Sequence, residues 1–197
     1  MTHSTRSLAL VVTTLCVAAC NEPTRAGDAS MVARSTAASL DRATTAATGL
    51  TARFVSMMDA CDPATFNAVL GPGSCTRQGG VKFDKFIAQL QRHQMAGAWH
   101  FAPPTVQARL GQTIIATNRG GEVHTFTRVA EFGGGEVPEL NALSGNTTVA
   151  PECTQLEPDD FVAPGGTYSE QVDAGGTLLF QCCIHPWMRT VVHVKSH

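Results

Sequence analysis

Phe180-Gln181-Cys182-Cys183-Ile184-His185-Pro186-Trp187-Met188 sets a thiol, an imidazole and a thioether within one short run. Thiolate and thioether are soft donors and imidazole is borderline, a combination that selects copper. Two histidines and a cysteine with a weak axial methionine are the electron-transfer copper arrangement. The run supplies one histidine, so a second must come from elsewhere. The best candidate is His124, in Asn118-Arg119-Gly120-Gly121-Glu122-Val123-His124-Thr125-Phe126.

These two segments resemble the copper-binding segments of the cupredoxin family, the plastocyanins and azurins. The Cys-x-x-His-Pro-x-Met loop of Cys182, His185, Pro186 and Met188 is similar to the amicyanin version. The resemblance covers roughly Ala98 to Lys195, with both segments in the family's order and Thr190–Val194 placed as its closing strand. It implies a mainly β, Greek-key sandwich holding one type 1 copper, with His124, Cys182 and His185 as ligands and Met188 as the weak axial one. Cys182 is preferred to Cys183 because only Cys182 gives the two-residue spacing to His185. Thr125 stands where many members carry Asn, and its hydroxyl or amide is expected to support the thiolate. Trp187 is implied to lie on an apolar surface beside His185, where a partner docks and electrons leave through the imidazole edge.

The function implied is one-electron transfer with no substrate bond made or broken, and hence not an enzyme. The alternative is copper binding and delivery, and a third class is an interaction module that has lost its metal. The His-x-His motifs that build the oxygen-reducing cluster of multicopper oxidases are absent, and Cys182 and Cys183 are adjacent rather than spaced for a binuclear centre. His93, His100, His193 and His197 have no motif partner and read as structural or solvated.

Residues 1–19 read as a bacterial lipoprotein signal: Arg6, the apolar run Leu8–Leu15, then Val17-Ala18-Ala19 before Cys20 as the lipidation site. Such a run is too short to span a membrane as a mature helix. The expected location is the cell envelope, lipid-anchored, facing the periplasm or in the outer membrane. An oxidising compartment permits disulfides. With Cys16 removed, Cys20 lipidated and Cys182 on copper, Cys61, Cys75, Cys153 and Cys183 remain, and four cysteines allow three pairings. The preferred pairs are Cys61 with Cys75, closing a Pro/Gly-rich loop, and Cys153 with Cys183, which alternation turns away from the face of Cys182.

Apolar residues make up 43% of the chain and charged ones 15%, ordinary for a globular protein. Fourteen Lys and Arg face 16 Asp and Glu with no basic cluster, which excludes an electrostatic nucleic-acid footprint. Residues 20–51 read as a tether rich in Ala, Thr and Ser, with helical character expected from Leu40 to Met58. Residues 52–97 read as a small helical, disulfide-closed extension, in which Phe83, Phe86, Ile87 and Leu90 form one helical stripe. From Ala98 the periodicity turns to β, and residues 98–197 read as the cupredoxin domain. From Val129 to Met188 there is no Lys or Arg but nine acidic residues, a patch suited to a basic redox partner such as a c-type cytochrome.

Overall fold

The computed structural model describes residues 51–195; the lipoprotein signal, Cys20, most of the tether and His197 lie outside them. Two four-stranded sheets face each other. The strands in chain order are β1 (Arg53–Met58), β2 (His100–Ala102), β3 (Thr105–Arg109), β4 (Thr113–Asn118), β5 (His124–Thr125) and β6 (Thr127–Val129). They continue with β7 (Phe161–Val162), β8 (Thr167–Gln171), β9 (Gly176–Gln181) and β10 (Arg189–Lys195). One sheet has the order β2-β1-β4-β8 and the other β3-β10-β9-β6, while β5 and β7 pair with each other. Helices α1 (Pro63–Leu70), α2 (Phe83–His93) and α3 (Pro138–Ser144) lie between strands in the chain.

Alternation along the strands makes the sandwich. In β4 Ile114, Ala116 and Asn118 are buried, in β3 Val106 and Ala108, and in β10 Thr190, Val192 and Val194. Phe126 stacks on Phe180 with ring centroids 4.6 Å apart and meets Phe101 at 5.3 Å, so the residues on either side of the site segments help to hold the core together.

The helical character expected up to Met58 is not what forms. Arg53–Met58 is a strand, parallel to β4 and antiparallel to β2, in the interior of its sheet. Val55 and Met57 face the core while Phe54 is 67% exposed, a period of two that the apolar spacing of Phe54, Val55 and Met58 concealed. The β-branched Val55 and the open edges of β2 and β4 override the weak helical preference of the preceding Ala-rich run. Sheet pairing therefore starts well before Ala98.

The helices follow local rules. Asp62 caps α1, accepting from Thr65 N–H at 3.0 Å, and Pro63 occupies the first turn, where its missing N–H costs nothing. The Cys61–Cys75 disulfide closes the loop around α1 over a separation of 14 residues, worth about 3 kcal/mol of unfolded-state entropy. In α2 the predicted stripe turns inward, with Phe86 and Leu90 buried. The acidic stretch after Gly135 contains α3, which packs against α2 and was not visible as a pattern.

A fragment beginning at residue 98 lacks β1 together with α1 and α2, which leaves β2 without a sheet partner and removes the buried side chains of Val55, Met57, Phe66, Phe86 and Leu90, worth about 1.5–3 kcal/mol each. It is expected to show no cooperative thermal unfolding, whereas a fragment from residue 51 melts in one transition. A sharp melt from the shorter fragment would contradict the place given to β1.

Candidate metal centre

Three donors converge at one end of the sandwich. His124 Nδ1 lies 3.9 Å and His185 Nδ1 3.8 Å from Cys182 Sγ, and the three donor atoms all fall within 4.8 Å of one another. Metal bonds of about 2.0 Å to nitrogen and about 2.3 Å to sulfur, at the 120° of a trigonal set, place N and S about 3.7 Å apart. The donor types and their spacing therefore fit a copper ion of the kind the sequence implies. All three side chains are buried, as is Met188.

The ligand loop closes on itself. Cys182 N–H donates to Met188 C=O at 3.0 Å and Met188 N–H to His185 C=O at 2.9 Å, so the Cys-to-Met segment is a tight turn between β9 and β10 with Pro186 fixing φ inside it. The sulfur accepts two backbone N–H groups, from Thr125 and from His185, each at 3.4 Å. The Thr125 hydroxyl accepts from Cys183 N–H at 2.8 Å, which ties the two site segments together through both the amide and the hydroxyl of one residue.

The remaining cysteines pair around this loop. Cys61 bonds Cys75 and Cys153 bonds Cys183, which leaves Cys182 as the free cysteine among the described residues. Cys182 belongs to the main core, while Cys183 sits with Val129, Ala150 and Cys153 in a second apolar cluster, so neighbouring residues serve opposite faces. Gly135 passes so close to the Cys183 carbonyl that a Cβ there would lie 1.8 Å from its oxygen, and Glu136 N–H donates to that oxygen at 2.7 Å.

Two buried carboxylates that the sequence reading did not single out stand behind the histidines. Asp59 Oδ2 is 2.9 Å from His124 Nε2. Glu122 Oε2 accepts from Trp99 Nε1 at 2.5 Å and lies 3.6 Å from His185 Nε2. Glu122 stands in the His124 segment, so an acid there was in view. Asp59 carried no signal, being distant in sequence and joined to the site only by the β1–β4 pairing. Asn118 holds the intervening turn, with its amide donating to the Glu122 and Val162 carbonyls at 2.7 Å and its oxygen accepting from Gly120 N–H at 2.9 Å.

These contacts polarise the metal-free site. Burial pushes the Cys182 thiol up, but hydrogen bonds from both imidazoles overcome it and hold the group well below the ordinary thiol range. Burial pushes His124 down, yet its hydrogen bonds to Asp59 and Cys182 raise it to about 9. Asp59 is pushed up by burial and drawn further down by His124 and by the Gly121 and Glu122 N–H groups, to about 2. Glu122 is raised, because burial outweighs the attraction of His185.

The apolar surface expected at Trp187 is not there. Trp187 is 9% exposed, edge-on to His185 and under Phe86 of α2, and His185 itself is 3% exposed. Helix α2 occupies the place where that surface was expected. His185 instead borders an apolar groove of about 450 Å³ formed with Phe83, Ile87, Leu140, Leu143 and Ile184.

Over 89 residues the chain is 34% identical to plastocyanin of Vicia faba, covering 45% of this chain and 79% of that protein. It is 32% identical over 89 residues to chloroplastic plastocyanin of Pisum sativum, covering 45% of this chain and 46% of that longer protein, so it spans about half of that relative's length. The chain therefore belongs to the cupredoxin family, whose plastocyanin and amicyanin members are type 1 copper proteins. No protein-family model matches it. Among solved structures, a purple cupredoxin from Nitrosopumilus maritimus aligns over 73% of this chain and 99% of its own, at TM-score 0.41 and 13% identity. A Cu(I) amicyanin variant aligns over 49% and 73% at TM-score 0.34 and 20% identity.

His124 carries a proton below about pH 9 in the metal-free protein, and copper binding at Nδ1 must expel one. The apparent copper affinity is expected to rise about tenfold per pH unit from this group between about pH 7 and about pH 9, then to flatten. A chelator competition titration, corrected for the chelator's own protons, measures this; a flat profile would contradict a protonated His124.

Proposed function

We propose that the protein is a one-electron carrier whose copper is held by His124, Cys182 and His185, with Met188 as the weak axial ligand. The observation that carries this is the convergence of one thiolate and two imidazole Nδ1 atoms at 3.8 and 3.9 Å within a fully buried site. Copper held there would supply a one-electron couple.

The chain's own residues do the rest. The two N–H groups on Cys182 stabilise its anionic form, Thr125 locks the two segments in register, and the two disulfides brace the flanking loops. Burial of the donors behind α2 keeps bulk water from the ligands, which favours retention over the delivery alternative. A delivery site must let an acceptor reach the metal, and here the imidazoles of His124 and His185 are 0% and 3% exposed.

His185 would give an electron its shortest way out, because it is the candidate ligand that borders the groove. We assign partner docking to that groove in place of Trp187. Its apolar walls suit the apolar face of a redox protein, and Glu139 on its rim together with the lysine- and arginine-free interval from Val129 to Met188 suits a basic partner such as a c-type cytochrome. The reading includes export, and lipid attachment at Cys20 in the cell envelope. Two disulfides support an oxidising compartment.

Loading the mature protein with one equivalent of Cu(II) is expected to give an intense thiolate-to-copper band in the visible and a narrow-hyperfine EPR signal. Cys182→Ser abolishes both, while Cys183→Ser keeps them and loses stability by about 2–5 kcal/mol through the broken disulfide. A colourless wild-type protein would refute the copper reading.

Ile87→Lys and Leu140→Lys place a positive charge in the groove, against both its apolar walls and the charge of a basic partner, without touching a candidate ligand. Electron transfer to a basic cytochrome is expected to slow about tenfold or more with the visible spectrum unchanged, and added salt to slow the wild-type reaction. Rates indifferent to both changes would place docking elsewhere.

A further inference from the structure

Asp59 follows β1 and precedes the first disulfide, far in sequence from both site segments, yet its carboxylate is lodged against the turn that carries His124. Its side chain is 1% exposed. Oδ2 meets His124 Nε2 at 2.9 Å and accepts Glu122 N–H at 3.1 Å. Gly121 N–H reaches both oxygens at 2.9 Å, and Oδ1 also accepts Cys61 N–H at 3.2 Å. The turn is shaped around this group: a Cβ on Gly120 would stand 1.8 Å from Asp59 Oδ2, so only glycine lets the backbone pass.

On the copper reading above, we infer that Asp59 is a positioning residue for the metal. It fixes His124 with the proton on Nε2, so that the Nδ1 lone pair faces Cys182, and it strengthens that nitrogen as a donor. The first half follows from geometry. Each of the other contacts to the carboxylate is a backbone N–H, and a carboxylate accepts only, so the imidazole nitrogen facing it must carry hydrogen. The second half follows from charge. An anion behind an imidazole raises the basicity of the ligating nitrogen, which favours the more highly charged ion, so the carboxylate holds the couple toward Cu(II). Burial keeps solvent and salt from screening the effect.

The strand β1 thereby acquires a role at the site. It delivers Asp59 by running parallel to β4, whose last residue, Asn118, opens the His124 turn, with Met57 of β1 paired to Asn118.

Asp59→Asn keeps the size of the side chain and removes its charge. Expected is a copper protein that retains its thiolate band, with Cu(II) affinity reduced about 10–100-fold and Cu(I) affinity reduced less. Each tenfold difference between the two raises the reduction potential by about 59 mV. Gly120→Ala, which displaces the carboxylate with its charge intact, is expected to move the potential in the same direction. In the Cu(I)-loaded wild-type protein, nitrogen-edited NMR is expected to show a slowly exchanging proton on His124 Nε2. That measurement decides the matter if the variants do not fold. A folded Asp59→Asn protein with unchanged potential, or a wild-type protein without that proton, overturns the inference. A loss of thermal stability with no change in potential also overturns it, because a merely structural role predicts that pattern. A wild-type protein with no thiolate band at all defeats the copper reading itself and the inference with it, a result distinguishable from the other three.

Discussion

A thiolate in a core is the constraint on which the rest of the structure turns. An unpaired anion moved from water into a protein interior costs several kcal/mol even after relaxation. Cys182 is wholly buried and its thiol is held well below the ordinary range by both imidazoles, so its surroundings must supply what water would have supplied to the anion. Two backbone N–H groups and two imidazoles do so in the metal-free protein. The imidazoles in turn are buried and need partners, which Asp59 and Glu122 provide, and those carboxylates need Gly121, Glu122 N–H and Trp99. Burying one sulfur thus recruits a polar network that reaches from β1 to the start of β2, and a network of this kind is stable only when every member is satisfied.

That network explains why the sandwich carries extra parts. Strand β1 completes a sheet and delivers Asp59. Helix α2 lays Phe86 against Trp99 and Trp187 at ring distances of 4.6 and 6.1 Å, covering the imidazole edge of His185 from one side. Glu122 is reached by the Trp99 indole from beneath the same helix. Fold and site are therefore not separable layers: the aromatic cluster that stabilises α2 also shields the ligands.

The donors proposed for copper could be picked out in the sequence because copper chemistry demands particular atoms at particular spacings. Cys182, His185 and Met188 lie in one turn, and His124 follows a glycine turn that closes a strand; the structure brings Cys182 and the two imidazoles together. The alternation of β3, β4 and β10 was legible for a similar reason, since a buried sheet face imposes a period of two. What escaped was non-local. Nothing in Arg53–Met58 distinguishes a strand from a loose helix until β2 and β4 offer it unpaired edges. Asp59 is an ordinary acid until the parallel pairing of β1 with β4 sets it under His124. Trp187 looked like surface because the helix that covers it comes from a hundred residues earlier in the chain. Helix α3 is short and set in an acidic run, so it left almost no periodic trace.

The adjacency of Cys182 and Cys183 bears on how the molecule is made. In an unfolded chain the two thiols are equal rivals for Cys153, and oxidation at that stage has no means of choosing. Once β9 is in place, Cys182 belongs to the main core and Cys183 to the small cluster around Cys153, and the choice is removed. In the folded chain the pair just beyond the end of β9 is sorted by side: the bridge to Cys153 takes one face, and the thiol left on the other is the one proposed for the metal.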